Sequence, residues 1–127
     1  MVKPAYVPET GHIVKMDLDP RTGHEQGGWR PALVLSPGSY NAKTGLAIVV
    51  PITNQVKGYP LEVPLPEQTS VKQEKVSRAK ITGVVLSDAV KNVDWRARRA
   101  KFADTVSASV LEAVRERLSL LLGVTRA

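Results

Sequence analysis

Arg30 is the residue whose type and setting most directly suggest chemistry. In "EQGGWRPALVLS", Glu25 to Ser36, one guanidinium follows an acid, two glycines and a tryptophan and precedes an unbroken apolar run. A planar fork of donors that stays charged at any physiological pH, projecting from a rigid strand into space beside a glycine-rich loop, suits the oxygens of a phosphate. An ion pair with Glu25 at the strand end is the plainer alternative. Thr53 closes a second apolar run at "PITNQ", where a hydroxyl is presented to solvent. With Asn54 and Gln55 it can hydrogen-bond phosphate and base edges, or serve the turn. The run "DWRARRAKF" sets Arg96, Arg98 and Lys101 among Trp95 and Phe102, cations for phosphates beside rings that can stack on unpaired bases. The same charges would also seat an acidic protein.

Other candidates are weaker. The two histidines, His12 and His24, have the right chemistry for an acid and base pair. One opens a strand and the other lies in a loop, so the sequence does not bring them together. Asp17 and Asp19 share one side of a strand and could take magnesium, but no second carboxylate cluster supports them, and Asp19-Pro20 reads as a turn initiator. Glu25, next to Arg30 on the glycine-rich loop, is the best candidate for a general base.

These residues need a scaffold. "HIVKMDLD" alternates apolar and polar side chains as a half-buried strand does, and Pro20, Gly23, Gly27 and Gly28 then predict a mobile surface loop over Asp19 to Trp29. "RPALVLS" resumes as a strand with Pro31 at its start. "SPGSYNAKTG" reads as a turn, "LAIVVPIT" as a central strand covered on both faces and ending near Pro51, and "LEVPL" as a shorter strand. Glu67 to Thr82 is polar and aperiodic, which predicts an excursion or flexible loop. "VVLSDAVKNVD" restores strand character. Val110, Leu111, Val114, Leu118, Leu121 and Leu122 recur at helical spacing behind Ser107 or Ser109 as cap, with Gly123 as the stop. Several strands followed by one helix argue for an antiparallel sheet curled into a small barrel with the helix against it.

At 127 residues this is one domain, spanning 1–127, and without cysteine it must stand on packing alone. No run approaches the roughly 20 apolar residues of a membrane span, so a soluble, cytoplasmic protein is expected. Eighteen Lys and Arg against twelve Asp and Glu give a formal charge of +6. Nine of those cations, with only three acids, lie between Lys72 and Lys101. Such clustering fits a polyanionic partner, because each neutralised phosphate releases counterions; a solvated face is the alternative.

Through "YVPETGHIVKMDLDPRTGHEQGGWRPALVLS", "YNAKTG", "VPITNQVKGYP" and "VKNVDWRARRAKF", in that order, the chain resembles the MazF/PemK toxins, endoribonucleases of bacterial toxin-antitoxin systems. The resemblance implies an SH3-like antiparallel β-barrel with a C-terminal α-helix, assembled as a homodimer whose groove holds single-stranded RNA. It implies sequence-specific cleavage of messenger RNA with no cofactor and no metal, by attack of a ribose 2′-hydroxyl on its own phosphate, leaving 2′,3′-cyclic phosphate and 5′-hydroxyl ends. The family's catalytic arginine and threonine fall on Arg30 and Thr53. The expected RNA-binding set is Trp29, Asn41, Asn54, Gln55, Lys57, Lys91, Arg96 and Arg98, and the expected protein partner is a MazE-like antitoxin with an acidic tail. Ala89 stands where relatives often carry a base-reading glutamine, so the RNA motif does not carry over. The alternatives are a non-catalytic toxin of the same architecture, as in the gyrase-poisoning CcdB proteins, and an RNA-binding module without turnover.

Overall fold

The computed structural model describes residues 5–17, 29–66 and 81–124. In chain order these form β1 (His12–Asp17), β2 (Trp29–Val34), α1 (Gly38–Thr44), β3 (Leu46–Thr53), β4 (Glu62–Pro64), β5 (Val84–Leu86), β6 (Lys91–Asp94), β7 (Lys101–Thr105) and α2 (Ala108–Leu122). Every ladder is antiparallel, and the strands run in the order β4-β5-β3-β2-β1-β7 with β6 also on β3. β4 and β7 lie at the two ends of that path, and no ladder joins them among the described residues. The fold is thus a mainly antiparallel sheet with a C-terminal helix, and the described strands do not close into a barrel.

β3 organises the sheet. Its first half pairs with β6 (Leu46↔Asp94 to Val49↔Lys91) and its last two residues with β5 (Ile52↔Val85, Thr53↔Val84). Changing partners partway splits the "VVLSDAVKNVD" segment into two short strands, where the sequence predicts one. Both faces of β3 are covered, as its uniform apolarity predicts. Val50 and Ile52 join Ile13, Leu33, Val63, Val85, Val110 and Val114 under α2. Ala47 and Val49 join Val14, Met16, Ala32, Val34, Val93 and Trp95 on the other side, beneath Tyr6 and Val7. Each fully buried aliphatic side chain contributes roughly 1.5–3 kcal/mol of transfer free energy.

α2 begins where the sequence places it. The Ser107 hydroxyl accepts from the Val110 N–H, and Gly123, at φ +75°, lets its own N–H reach the Leu120 carbonyl. Only Val110 and Val114 of its apolar stripe are buried; Leu120, Leu121 and Leu122 are exposed.

Two elements depart from expectation. "GSYNAKT" is a two-turn helix and not a turn, capped by Gly45 at φ +76°, whose N–H donates to the Asn41 carbonyl. Its polar sequence has no helical stripe because side-chain hydrogen bonds hold it. The Asn41 amide donates to the carbonyls of Pro8 (2.8 Å) and Ser36 (3.0 Å), its Oδ1 accepts from the Ser36 hydroxyl (2.6 Å), and its backbone carbonyl accepts from the Trp95 indole (3.0 Å). Asn41 is fully buried, so the expectation that it binds RNA is corrected: its donors and acceptor are spent on the core. Asn41→Ala is expected to lower stability by about 2 kcal/mol, since it strands buried partners, read as a fall of about 8 °C in thermal melting. The second departure is β7, whose "KFADT" pairs with β1. The predicted excursion over Glu67 to Thr82 lies outside the described residues except for its last two.

Candidate active site

Three strand termini meet at one end of the sheet. β1 finishes there at Asp17, β2 starts there at Trp29, and β3 finishes there at Thr53. In the β1–β2 ladder Met16 pairs with Arg30 and Asp17 with Trp29. The β2–β3 ladder runs from Val34↔Val49 to Ala32↔Pro51. The ladder ends there; its register continued by two residues sets Arg30 level with Thr53, which is itself paired with Val84 of β5. Strand alternation puts both on the side of the sheet that carries Met16, Ala32 and Val49. Arg30 is exposed at the margin of that buried cluster, and Thr53 is half-buried. A guanidinium and a hydroxyl on adjacent strands, at one height and on one face, can both reach a single phosphate.

The tip after Thr53 is built by hydrogen bonds, one of them the turn bond expected of Thr53 and two, to Glu62, that sequence reasoning missed. The Thr53 hydroxyl oxygen accepts from the Gln55 N–H at 3.1 Å, which leaves its hydrogen to donate outward. Asn54 Oδ1 accepts from the Thr82 hydroxyl at 2.9 Å, so its amide hydrogens remain for a ligand. Glu62, buried on β4, accepts from the backbone N–H groups of Lys57 (2.9 Å) and Gly58 (2.8 Å) and so fixes the course of the Gln55–Gly58 segment. One signal in the sequence could have found it, a lone acid inside the otherwise apolar "LEVPL". The side chains of Asn54, Gln55 and Lys57 are exposed.

The cations fall into two groups. Trp29 is 46% exposed beside Arg30, with the Lys101 ammonium 5.5 Å from its ring centre. Arg98 is half-buried, and its guanidinium donates to the Asp17 carbonyl while its own carbonyl accepts from the Asp17 N–H. It holds the end of β1 as well as carrying charge to this edge. Arg96 lies 4.6 Å over the Trp95 ring and reaches the Ala42 carbonyl. Lys91 is exposed on β6, opposite Val49 and farther along the sheet from Thr53.

Glu25, His24 and Asp19 lie outside the described residues. His12 is described, and its role is structural. Its Nδ1 accepts from the Glu9 N–H at 3.2 Å, and the Tyr6 hydroxyl lies 2.8 Å from the same nitrogen. A backbone N–H can only donate, so Nδ1 is bare and Tyr6 donates to it too. Tyr6 keeps that proton because burial and the nearby Glu9 charge push its pKa up to about 12. Burial holds His12 below its ordinary value, against a smaller opposing pull from Glu9. Protonated histidine therefore favours the unfolded chain. Stability is full above the ordinary histidine value near 6.5 and declines as pH falls through it. Glu9, held low by the N–H groups of Gly38 and Thr10, loses its contribution only in stronger acid. Melting temperatures between pH 7.5 and 5.5 are expected to fall for the parent chain and to stay flatter for His12→Phe.

Residues 9–122 match the family described as the PemK-like, MazF-like toxin of type II toxin-antitoxin systems. The chain is 43% identical over 118 residues to the endoribonuclease toxin MazF of Escherichia coli strain K12, an alignment spanning 93% of this chain and 96% of that one. It is 34% identical over 119 residues to the endoribonuclease PemK of Escherichia coli, covering 90% of this chain and 81% of the other. Among solved structures it is similar to MazF from Deinococcus radiodurans, with a TM-score of 0.78 and 48% identity over 94% of this chain and all of that one. A MazE-MazF complex from the same organism gives a TM-score of 0.77 at 42% identity, over 95% and 100% of the two chains.

Proposed function

Because the chain belongs to the PemK-like, MazF-like toxin family of type II toxin-antitoxin systems, we propose that it is an endoribonuclease toxin whose chemistry is centred on Arg30 and Thr53. The observation that carries this reading is the shared level and face of those two residues at the ends of β2 and β3. The substrate is single-stranded RNA. Its ribose 2′-hydroxyl loses a proton to a base, for which Glu25 is the candidate, and forms a bond to its own phosphorus. The P–O5′ bond breaks, the departing oxygen takes up a proton, and the products are a 2′,3′-cyclic phosphate and a 5′-hydroxyl. Negative charge gathers on the phosphoryl oxygens in the pentacoordinate transition state, where a fixed guanidinium stabilises it most. Arg30 supplies that charge, and the Thr53 hydroxyl donates a hydrogen bond that orients the phosphate. A guanidinium gives up protons reluctantly, so Arg30 acts electrostatically rather than as a general acid.

Trp29 supplies an exposed ring for an unpaired base; Asn54, Gln55 and Lys57 flank the reacting phosphate, with Arg98, Lys91 and Arg96 farther along. The change of partner along β3 supports a sheet curled toward an SH3-like barrel. The exposed leucines at the end of α2 support a homodimer, checked by light scattering at micromolar concentration. MazE-MazF complexes of the Deinococcus relative support an acidic, MazE-like antitoxin as partner, and cytoplasmic action on messenger RNA belongs to the same proposal. No described helix is long and apolar enough to cross a membrane. A gyrase-poisoning mode is not favoured, since the relatives at 43% and 34% identity are endoribonucleases. The test is to incubate the pure protein with a varied single-stranded RNA pool in excess chelator and sequence the new 5′-hydroxyl ends. Cleavage at a recurring motif supports the proposal, and intact RNA across the pool rejects it.

A further inference from the structure

The turn between β6 and β7 carries a backbone anomaly that the proposed chemistry does not use. Arg99 has φ +55°, the single positive value outside glycine among the described residues. A Cβ in this left-handed region crowds the backbone, so glycine or asparagine is the stable choice there. The turn cannot relax to avoid it. The Asp94 carbonyl accepts from the Arg98 N–H, the Arg96 carbonyl from the Arg99 N–H and the Trp95 carbonyl from the Ala100 N–H, at 3.0–3.1 Å, while the Asp94 carboxylate takes the Ala97 N–H at 2.9 Å. On either side, buried Trp95 is tied to Asn41 and Arg98 to Asp17.

A strained arginine is a reason to ask what its side chain does. Its neighbours are occupied: Arg96 lies on the Trp95 ring and Arg98 on the Asp17 carbonyl. The Arg99 side chain is exposed and makes no hydrogen bond or ion pair among the described residues. Two residues on, Lys101 pairs with Lys15 and sits over Trp29, the residue preceding Arg30. The turn therefore stands at the same end of the sheet as the candidate site.

We propose that Arg99 is a substrate-binding residue that grips a backbone phosphate of single-stranded RNA to one side of the phosphate held by Arg30. This rests on the endoribonuclease reading. An exposed aromatic ring, Trp29, at the same end of the sheet as a guanidinium with no partner among the described residues favours a nucleic acid over an acidic peptide, because bases stack while the fork takes phosphate oxygens. Such a contact adds affinity without reading a base, so it acts on all sequences alike.

The experiment measures binding of a labelled pool of single-stranded RNA, in chelator, to Arg30→Ala protein with and without Arg99→Gly. One lost phosphate contact lowers the slope of log affinity against log salt by about 0.7, which corresponds to about 8-fold weaker binding at 50 mM salt and about 3-fold at 200 mM. Arg99→Lys is expected to restore the slope. Arg99→Gly should also melt about 3 °C higher, since strain is relieved. Unchanged affinity and slope overturn the proposal. So does a loss that Arg99→Lys fails to restore and that comes with a lower melting temperature, which marks a structural role. Unchanged RNA binding with weakened binding of an acidic peptide assigns the residue to a protein partner instead. Parent protein that neither binds nor cuts RNA rejects the endoribonuclease reading itself, and this inference with it.

Discussion

Arg30→Ala is expected to slow RNA cleavage by about 10²–10³-fold, the usual cost of removing one preorganised donor from a developing oxyanion, while the fold is left intact. The two halves of that expectation come from different features of the same residue. Its backbone is held in the β1–β2 ladder opposite Met16, and that pairing is indifferent to the side chain. Its side chain is exposed and fills no space in the buried cluster beneath it, so truncation opens no cavity and melting should move by no more than about 0.5 kcal/mol equivalent. Loss of rate without loss of stability separates a functional guanidinium from a strand-end ion pair, which would show the reverse. Arg30→Lys keeps the charge and loses the fork, so it should recover only part of the rate. Thr53→Ala should cost less than Arg30→Ala, because it removes one neutral hydrogen bond to the same phosphate. The double variant should fall short of the sum, as groups acting on one centre do. Single-turnover rates on an RNA cut by the parent protein measure all of this. Full activity in Arg30→Ala would remove the proposed chemistry.

Much of this site is legible in the sequence because its scaffold follows local rules. The alternation in "HIVKMD", the proline at the start of "RPALV" and the two-faced apolarity of "LAIVVPIT" place β1, β2 and β3 to within a residue or two. Their lengths bring Arg30 and Thr53 to strand termini. That the termini share one level is not legible, because register depends on ladders between distant segments. What was missed has the same cause. α1 has no amphipathic stripe, and it exists because Asn41 bonds Pro8, Ser36 and Trp95 across long stretches of chain. Asn41 enters the expected RNA-binding set through the family resemblance, and nothing in its local sequence shows that it is buried. Glu62 is hidden in the same way: a lone acid in a short strand reads as surface, and only the fold shows it buried and accepting from two backbone N–H groups. In "WRARRAKF" the sequence reports charge, but only φ at Arg99 and the partners of Arg96 and Arg98 show which guanidinium has no partner among the described residues.

The largest structural effect is expected from the smallest change, Gly83→Ala. Gly83 precedes β5 at φ +113°, a conformation that L side chains rarely adopt, and its Cα presses against the strand that carries Thr53. An added Cβ would overlap the Thr53 carbonyl oxygen and lie 2.8 Å from the carbonyl carbon and 2.9 Å from Asn54 Oδ1. Two of those atoms belong to backbone and cannot swing away, so β3 or β5 must shift. That parts the Thr53↔Val84 pairing and disturbs the bond between Asn54 and Thr82. The backbone strain and the overlap each cost about 1–3 kcal/mol, so melting should fall by about 10 °C or more. Cleavage should also fall at temperatures where the variant is still folded, because the Thr53 hydroxyl moves with its backbone. Gly58→Ala is the control. It too has a left-handed φ, +84°, but no atom lies within 4 Å of the new methyl group, so it carries only the conformational term of about 1 kcal/mol. If the two variants melt alike, the close approach at Gly83 is not what seats Thr53. If Gly83→Ala alone loses both stability and rate, the backbone contact between these two residues is what holds the hydroxyl at the level of Arg30.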